Sequence, residues 1–137
     1  MTALHTTTKA TARDGLLRFA LRGDAVLSAA AGVPFLLAAG PLSTELGPAD
    51  WALRALGAGL VGYGVLLWLI AAPARINHRS AWTVVIGNVA WAVLSAVALL
   101  AGWLPLTTAG VVVTVVMALH ASVFADLQFL GLRRLSA

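Results

Sequence analysis

AWTVVIGNVAWAVLSAVALLAG, residues 81–102, runs without one charged side chain. As a helix rising about 1.5 Å per residue it is long enough to cross a hydrocarbon layer of roughly 30 Å. A water-soluble helix needs a polar face, and this stretch offers only Thr83, Asn88 and Ser95 besides its tryptophans. The reading is a membrane span, opened by Ser80 as its cap and closed at Gly102. Working outward, WALRALGAGLVGYGVLLWLIAA at 51–72 reads the same way, with Asp50 as its cap and Pro73 as its stop. A first span is expected at about 16–39, after the Asp14-Gly15 cap; it contains Pro34 and ends at Gly40-Pro41. A fourth is expected at about 108–132, behind the Trp103-Leu104-Pro105 turn. Residues 111–116 are valine-rich, yet four segments of this length cannot close a barrel, which needs at least about eight shorter strands. The fold class is therefore an all-α, antiparallel four-helix transmembrane bundle, with residues 1–14 a polar cytoplasmic tail and 15–137 the membrane domain.

Composition agrees. Of 137 residues, 61% are hydrophobic and 10% charged, against about 25% charged in soluble chains. Mean hydropathy is +0.94. A cytosolic enzyme, a disordered tail and a coiled coil are excluded, and a disulfide scaffold is excluded because there is no cysteine.

The net charge of +4 does not point to nucleic acid, because the basic residues form no stripe. Lys9, Arg13, Arg18, Arg22, Arg75, Arg79, Arg133 and Arg134 all fall at one end of the expected bundle, and only Arg54 at the other. By the positive-inside rule both termini are cytoplasmic, in the cell's inner membrane. Trp51, Trp68, Trp82 and Trp103 sit at span ends, where aromatic belts form; Trp91 lies deep. A cleaved leader is the rival reading of the first span, but Arg22 and Asp24 ahead of the apolar run disfavour it.

An offset of 64 aligns 23–44 with 87–108: Gly23 on Gly87, Asp24 on Asn88, Val33 on Val97, Leu36 on Leu100, Pro41-Leu42 on Pro105-Leu106, Thr44 on Thr108. This is the pattern of two duplicated helix hairpins. Gly57-Ala58-Gly59-Leu60-Val61-Gly62 spells a dinucleotide fingerprint, but inside an apolar helix it has no strand before it. Gly57, Gly59, Gly62 and Gly64 are read as helix-packing positions, tightly packed in the bundle or facing a second copy in a homo-oligomer.

Ionisable and amide groups inside spans carry the functional reading. Asp24 lies about 9 Å along its helix from Arg18 and Asn88 about 13 Å from Arg79. Asp126 lies roughly 10 Å in from Arg133, and His120 lies near mid-depth. Gln128 and Arg75 are shallower, and Asn88, Trp91 and Ser95 share a helix face. Facing lipid, such groups cost several kcal/mol, so they should turn inward and meet. The expected result is a polar pocket open to the cytoplasm, lined by Asp24, Arg75, Asn88, Trp91, Ser95, His120, Asp126 and Gln128. Asn88 also reads as interhelical glue, Asp126 and Gln128 as snorkelling groups, and Arg75 and Arg79 as topology determinants. His120 has no second soft ligand three or four residues away, so no metal or other cofactor is expected.

Three stretches, LRFALRGD (17–24), GWLPL (102–106) and DLQFLGLRR (126–134), resemble a group of small four-span actinobacterial membrane proteins. That resemblance covers most of the chain beyond residue 15 and implies topology without any particular chemistry. The leading functional expectation is a non-enzymatic protein of the lipid bilayer that binds a small or lipophilic ligand or a membrane partner. One rival is a membrane-embedded isomerase, cyclase or hydrolase, with Asp24 as acid or base and His120 assisting. The other is a homo-oligomeric transporter cycling a proton on Asp24.

Overall fold

The computed structural model describes residues 14–136, so the expected tail, apart from Asp14, lies outside the described residues. Among these residues five helices follow one another: α1 (Gly15–Leu37), α2 (Ala39–Leu46), α3 (Asp50–Ala71), α4 (His78–Ala101) and α5 (Thr108–Ser136). All but α2 are long and apolar enough to span a bilayer. In lipid every backbone N–H and C=O must be satisfied internally, which is why these apolar runs are helical throughout. The chain is an antiparallel transmembrane bundle, with α1 packed on α3, α4 on α5, and α1 also on α5.

Local chemistry moves the helix ends from where the sequence placed them. The first span stops at Leu37, not at Gly40-Pro41, and Ala38 bends away at φ −127, ψ 30. Pro41 has no N–H for the Leu37 carbonyl and its ring would strike that carbonyl, so a continuous helix is broken four residues upstream. Gly40 and Pro41 instead fall in the first turn of α2, where a missing N–H costs nothing. Asn77, not Ser80, caps α4: its side chain accepts from the Ser80 N–H at 3.2 Å. The α3 cap position is Ala49, with Asp50 the first helical residue. Asp14 makes no cap bond and pairs with Arg18 at 2.8 Å. The same guanidinium donates to the carbonyls of Ala71 and Ala74, closing the C-terminus of α3 against the start of α1.

At the opposite end, Gly102 takes φ +67 and closes α4 with a paired turn, its own N–H reaching Leu99 and that of Trp103 reaching Ala98. Thr107 then ties two elements together. Its Oγ1 accepts from the Gly110 N–H and donates to the Glu45 carbonyl, while its N–H donates to the Leu46 carbonyl.

Two apolar clusters fill the bundle. Near the termini, Leu17, Leu21, Leu67, Ala71, Val84, Val85 and Leu132 pack from all four long helices. At the far end, Phe35, Ala39, Leu46 and Leu53 pack with Leu60, Val113 and Met117, and α4 supplies nothing. Beyond Asn88 no residue of α4 is buried. The outward surface is apolar, with Leu100 90% and Leu37 82% exposed, as a lipid-facing surface must be.

Candidate functional site

Asp24 stands fully buried one turn before Ser28 on α1, and that i, i+4 spacing lets the serine Oγ donate to Oδ1 at 3.0 Å. His120 of α5 places Nε2 3.0 Å from the same oxygen. The second oxygen, Oδ2, accepts from Asn88 Nδ2 of α4 at 2.8 Å and from Gln128 Nε2 of α5 at 2.9 Å. The other Asn88 amide proton goes to Gln128 Oε1 at 3.0 Å, and Tyr63 of α3 donates its hydroxyl to Asn88 Oδ1 at 2.9 Å. Three long helices thus converge on one carboxylate with two partners on each oxygen, and α3 joins them through Asn88.

Burying an isolated carboxylate in apolar surroundings is prohibitive. Here the hydrogen-bonding shell compensates, and no buried polar side-chain atom of the cluster is left without a partner. His120 and Gln128 share a face of α5 because they are two turns apart. The His120 ring also leans on Phe124, centroids 4.7 Å apart.

The expected residues divide clearly. Asp24, Asn88, His120 and Gln128 are brought into direct contact. Trp91 lies on the same side of α4 and lines the adjoining space, 41% exposed. Ser95 is half-buried and joins neither the network nor the cavity wall. Asp126 is exposed and bonds to none of the network, and Arg75 is exposed in the turn between α3 and α4. Ser28 and Tyr63 complete the cluster and were not expected. Ser28 could have been found from its one-turn spacing to Asp24; Tyr63 carried no signal in the sequence except its depth.

Against the network lies a cavity of about 620 Å³. Its walls are Leu27 and Ala31 from α1, Ala55, Leu56, Gly59 and Leu60 from α3, Gly87 and Trp91 from α4, and Val116, Met117 and Ala121 from α5. Ser28, Tyr63, Asn88 and His120 supply its polar end. The space lies on the side of the network away from the termini, since the bulky leucines of the first cluster occupy the near side. It is bounded where α3 and α4 diverge. Gly59 and Gly87, both exposed and with nothing within 4 Å of where a Cβ would stand, form its two lips.

The four glycines of α3 separate by face. A Cβ on Gly57 would meet the Gly32 carbonyl at 2.7 Å, and one on Gly64 the Ala25 carbonyl at 2.6 Å, so these two hold α3 against α1. Gly59 and Gly62 have open space instead. They cannot be the close-packing positions within this chain.

His120, Asp24 and their neighbours offer no group of three metal-ligating side chains among the described residues. No protein-family model, curated protein or solved structure matches the chain.

Proposed function

We propose that this integral membrane protein binds a small lipophilic ligand, which enters from the bilayer between α3 and α4 and rests its polar end on the Asp24 network. The observation that carries this reading is the cavity: apolar walls from all four long helices, one polar end, and glycine lips on the side exposed to lipid. This reading takes the opening between α3 and α4 rather than the cytoplasmic mouth anticipated from residue depths, and the leucine-filled cluster on the terminal side of the network supports it. Ligand recognition explains why a carboxylate, two amides, an imidazole and a phenol are gathered at this depth, where apolar side chains would pack at less cost. Acid–base catalysis by Asp24 itself is disfavoured, since its oxygens are sealed from the cavity by their four donors.

The membrane is proposed to be the inner one with both termini cytoplasmic, on the strength of the basic cluster at that end. The bond between Asp24 and Asn88, positions matched by the 64-residue offset, accords with the duplicated-hairpin reading.

Filling the cavity tests the function. Gly59→Phe puts a ring into open space, so folding should survive while the cavity closes. In phosphatidylcholine nanodiscs, equilibrium dialysis of the compact polycyclic alcohol adamantan-1-ol should show saturable binding to the native chain and its loss in Gly59→Phe. Equal retention by the two, or uptake no greater than by protein-free discs, would overturn the reading.

A further inference from the structure

The polar end of the cavity has a one-sided hydrogen-bonding character. Ser28 spends its hydroxyl proton on Asp24 Oδ1, and Tyr63 spends its own on Asn88 Oδ1. Both amide protons of Asn88 are committed, one to Asp24 and one to Gln128. His120 turns Nε2 toward Asp24. The protons of Ser28, Tyr63 and Asn88 are therefore spent within the network. What those three leave for the cavity is acceptor capacity: lone pairs on the Ser28 and Tyr63 oxygens and the second lone pair of Asn88 Oδ1. Behind them sits the Asp24 carboxylate, held by His120 and with no Lys or Arg bonded to it among the described residues. The Trp91 indole and the Tyr63 ring add π-faces to the same walls.

An anion entering this space would meet these lone pairs with a buried carboxylate behind them, and among the lining side chains the Trp91 indole N–H offers it a donor. A neutral hydroxyl could donate one bond. A protonated amine satisfies several acceptors at once, meets the field of Asp24 at short range, and can lie against an aromatic face. We infer that the cavity selects lipophilic amines, with the ammonium group seated among Ser28, Tyr63, Asn88 and His120 and the apolar body between α3 and α4. This rests on the cavity being a ligand site, and it adds the ligand's charge and donor pattern.

The test uses three probes of nearly equal shape: adamantan-1-amine, adamantan-1-ol and adamantane-1-carboxylate. Each is dialysed against the full chain in uncharged phosphatidylcholine nanodiscs at neutral pH, with protein-free discs subtracted. The amine should bind about tenfold or more tighter than the alcohol, and the carboxylate should not compete. In Asp24→Asn the amine and alcohol should become equivalent while the alcohol still binds. Should that variant fail to fold, Trp91→Leu keeps the network intact and should lower amine affinity severalfold with a smaller effect on the alcohol. Equal binding of amine and alcohol by the native chain overturns the selectivity and leaves the cavity standing as a ligand site. Preference for the carboxylate overturns it too, and failure of all three probes to bind removes both.

Discussion

Asp24 and Asn88 share one hydrogen bond at 2.8 Å, and each makes further bonds to other helices. Asn88 is the hub: it donates twice, accepts from Tyr63, and spans contacts to α1, α3 and α5 from its place on α4. Asn88→Leu would strip a donor from a fully buried carboxylate and orphan both Gln128 Oε1 and the Tyr63 hydroxyl. A buried polar group left unpaired costs about 1–3 kcal/mol, more for a charged one, so this variant should lose about 3 kcal/mol or more. Tyr63→Phe removes a single neutral bond whose acceptor borders the cavity, and interhelical bonds in membranes average about 0.6 kcal/mol. Unfolding of the two variants in detergent should therefore separate them widely, and equal losses would contradict the hub role. Arg22 shows a different use of charge. Its guanidinium lies 5.3 Å from the Trp68 ring centroid, keeping its head near the surface while its stem lies along apolar wall.

Pairing of elements depends on where glycine lets backbones touch. Gly32 of α1 meets Gly57 of α3, and Gly64 meets Ala25 and Ala29, so two contact points about two turns apart fix the α1–α3 pair. Gly64→Val should clash with the Ala25 carbonyl and the Ala29 Cβ, and cost about 1–3 kcal/mol through overpacking. Gly62→Ala faces open space and should change stability by less than about 1 kcal/mol, in the direction of helix propensity. Thermal unfolding of both in the same detergent checks the contrast; similar melting temperatures would mean that α1 and α3 are not held by this face. On α4 the opposite holds. With no buried residue past Asn88, its outer half is free of α3, and that divergence makes the cavity.

For the whole molecule, the asymmetry between its two ends sets both topology and opening. One end carries Arg18, Arg22, Arg75, Arg79, Arg133 and Arg134 and a filled leucine core; the other has Arg54, Asp50 and Glu45 and a core that leaves α4 out. Reporter fusions should show both termini in the cytoplasm and the 102–107 turn outside. A reporter at the turn that responds as cytoplasmic would invert the bundle and place the basic end against the positive-inside bias. The T-shaped contact of Trp82 with Phe129, centroids 5.7 Å apart, and the exposed Trp51 and Trp103 lie at opposite ends, as interface anchors do.

Long charge-free runs fix helix and membrane together, since lipid admits no other way to satisfy the backbone over such a length. That made the four spans, and the inward turning of Asp24, Asn88 and His120, legible from the chain alone. Depth along each helix follows from residue number, so these groups could be placed at a common level. Rotation about the helix axis does not follow from residue number. It is set by packing, which put Gln128 beside Asp24 and left Asp126 exposed only two residues away. The same packing recruited Tyr63, turned Gly57 and Gly64 to α1 but Gly59 and Gly62 to open space, and left the cavity beside the network. An apolar helix buries any of its faces at similar cost in a bilayer, so only the assembled bundle, by joining its donors to one carboxylate, decided which faces meet.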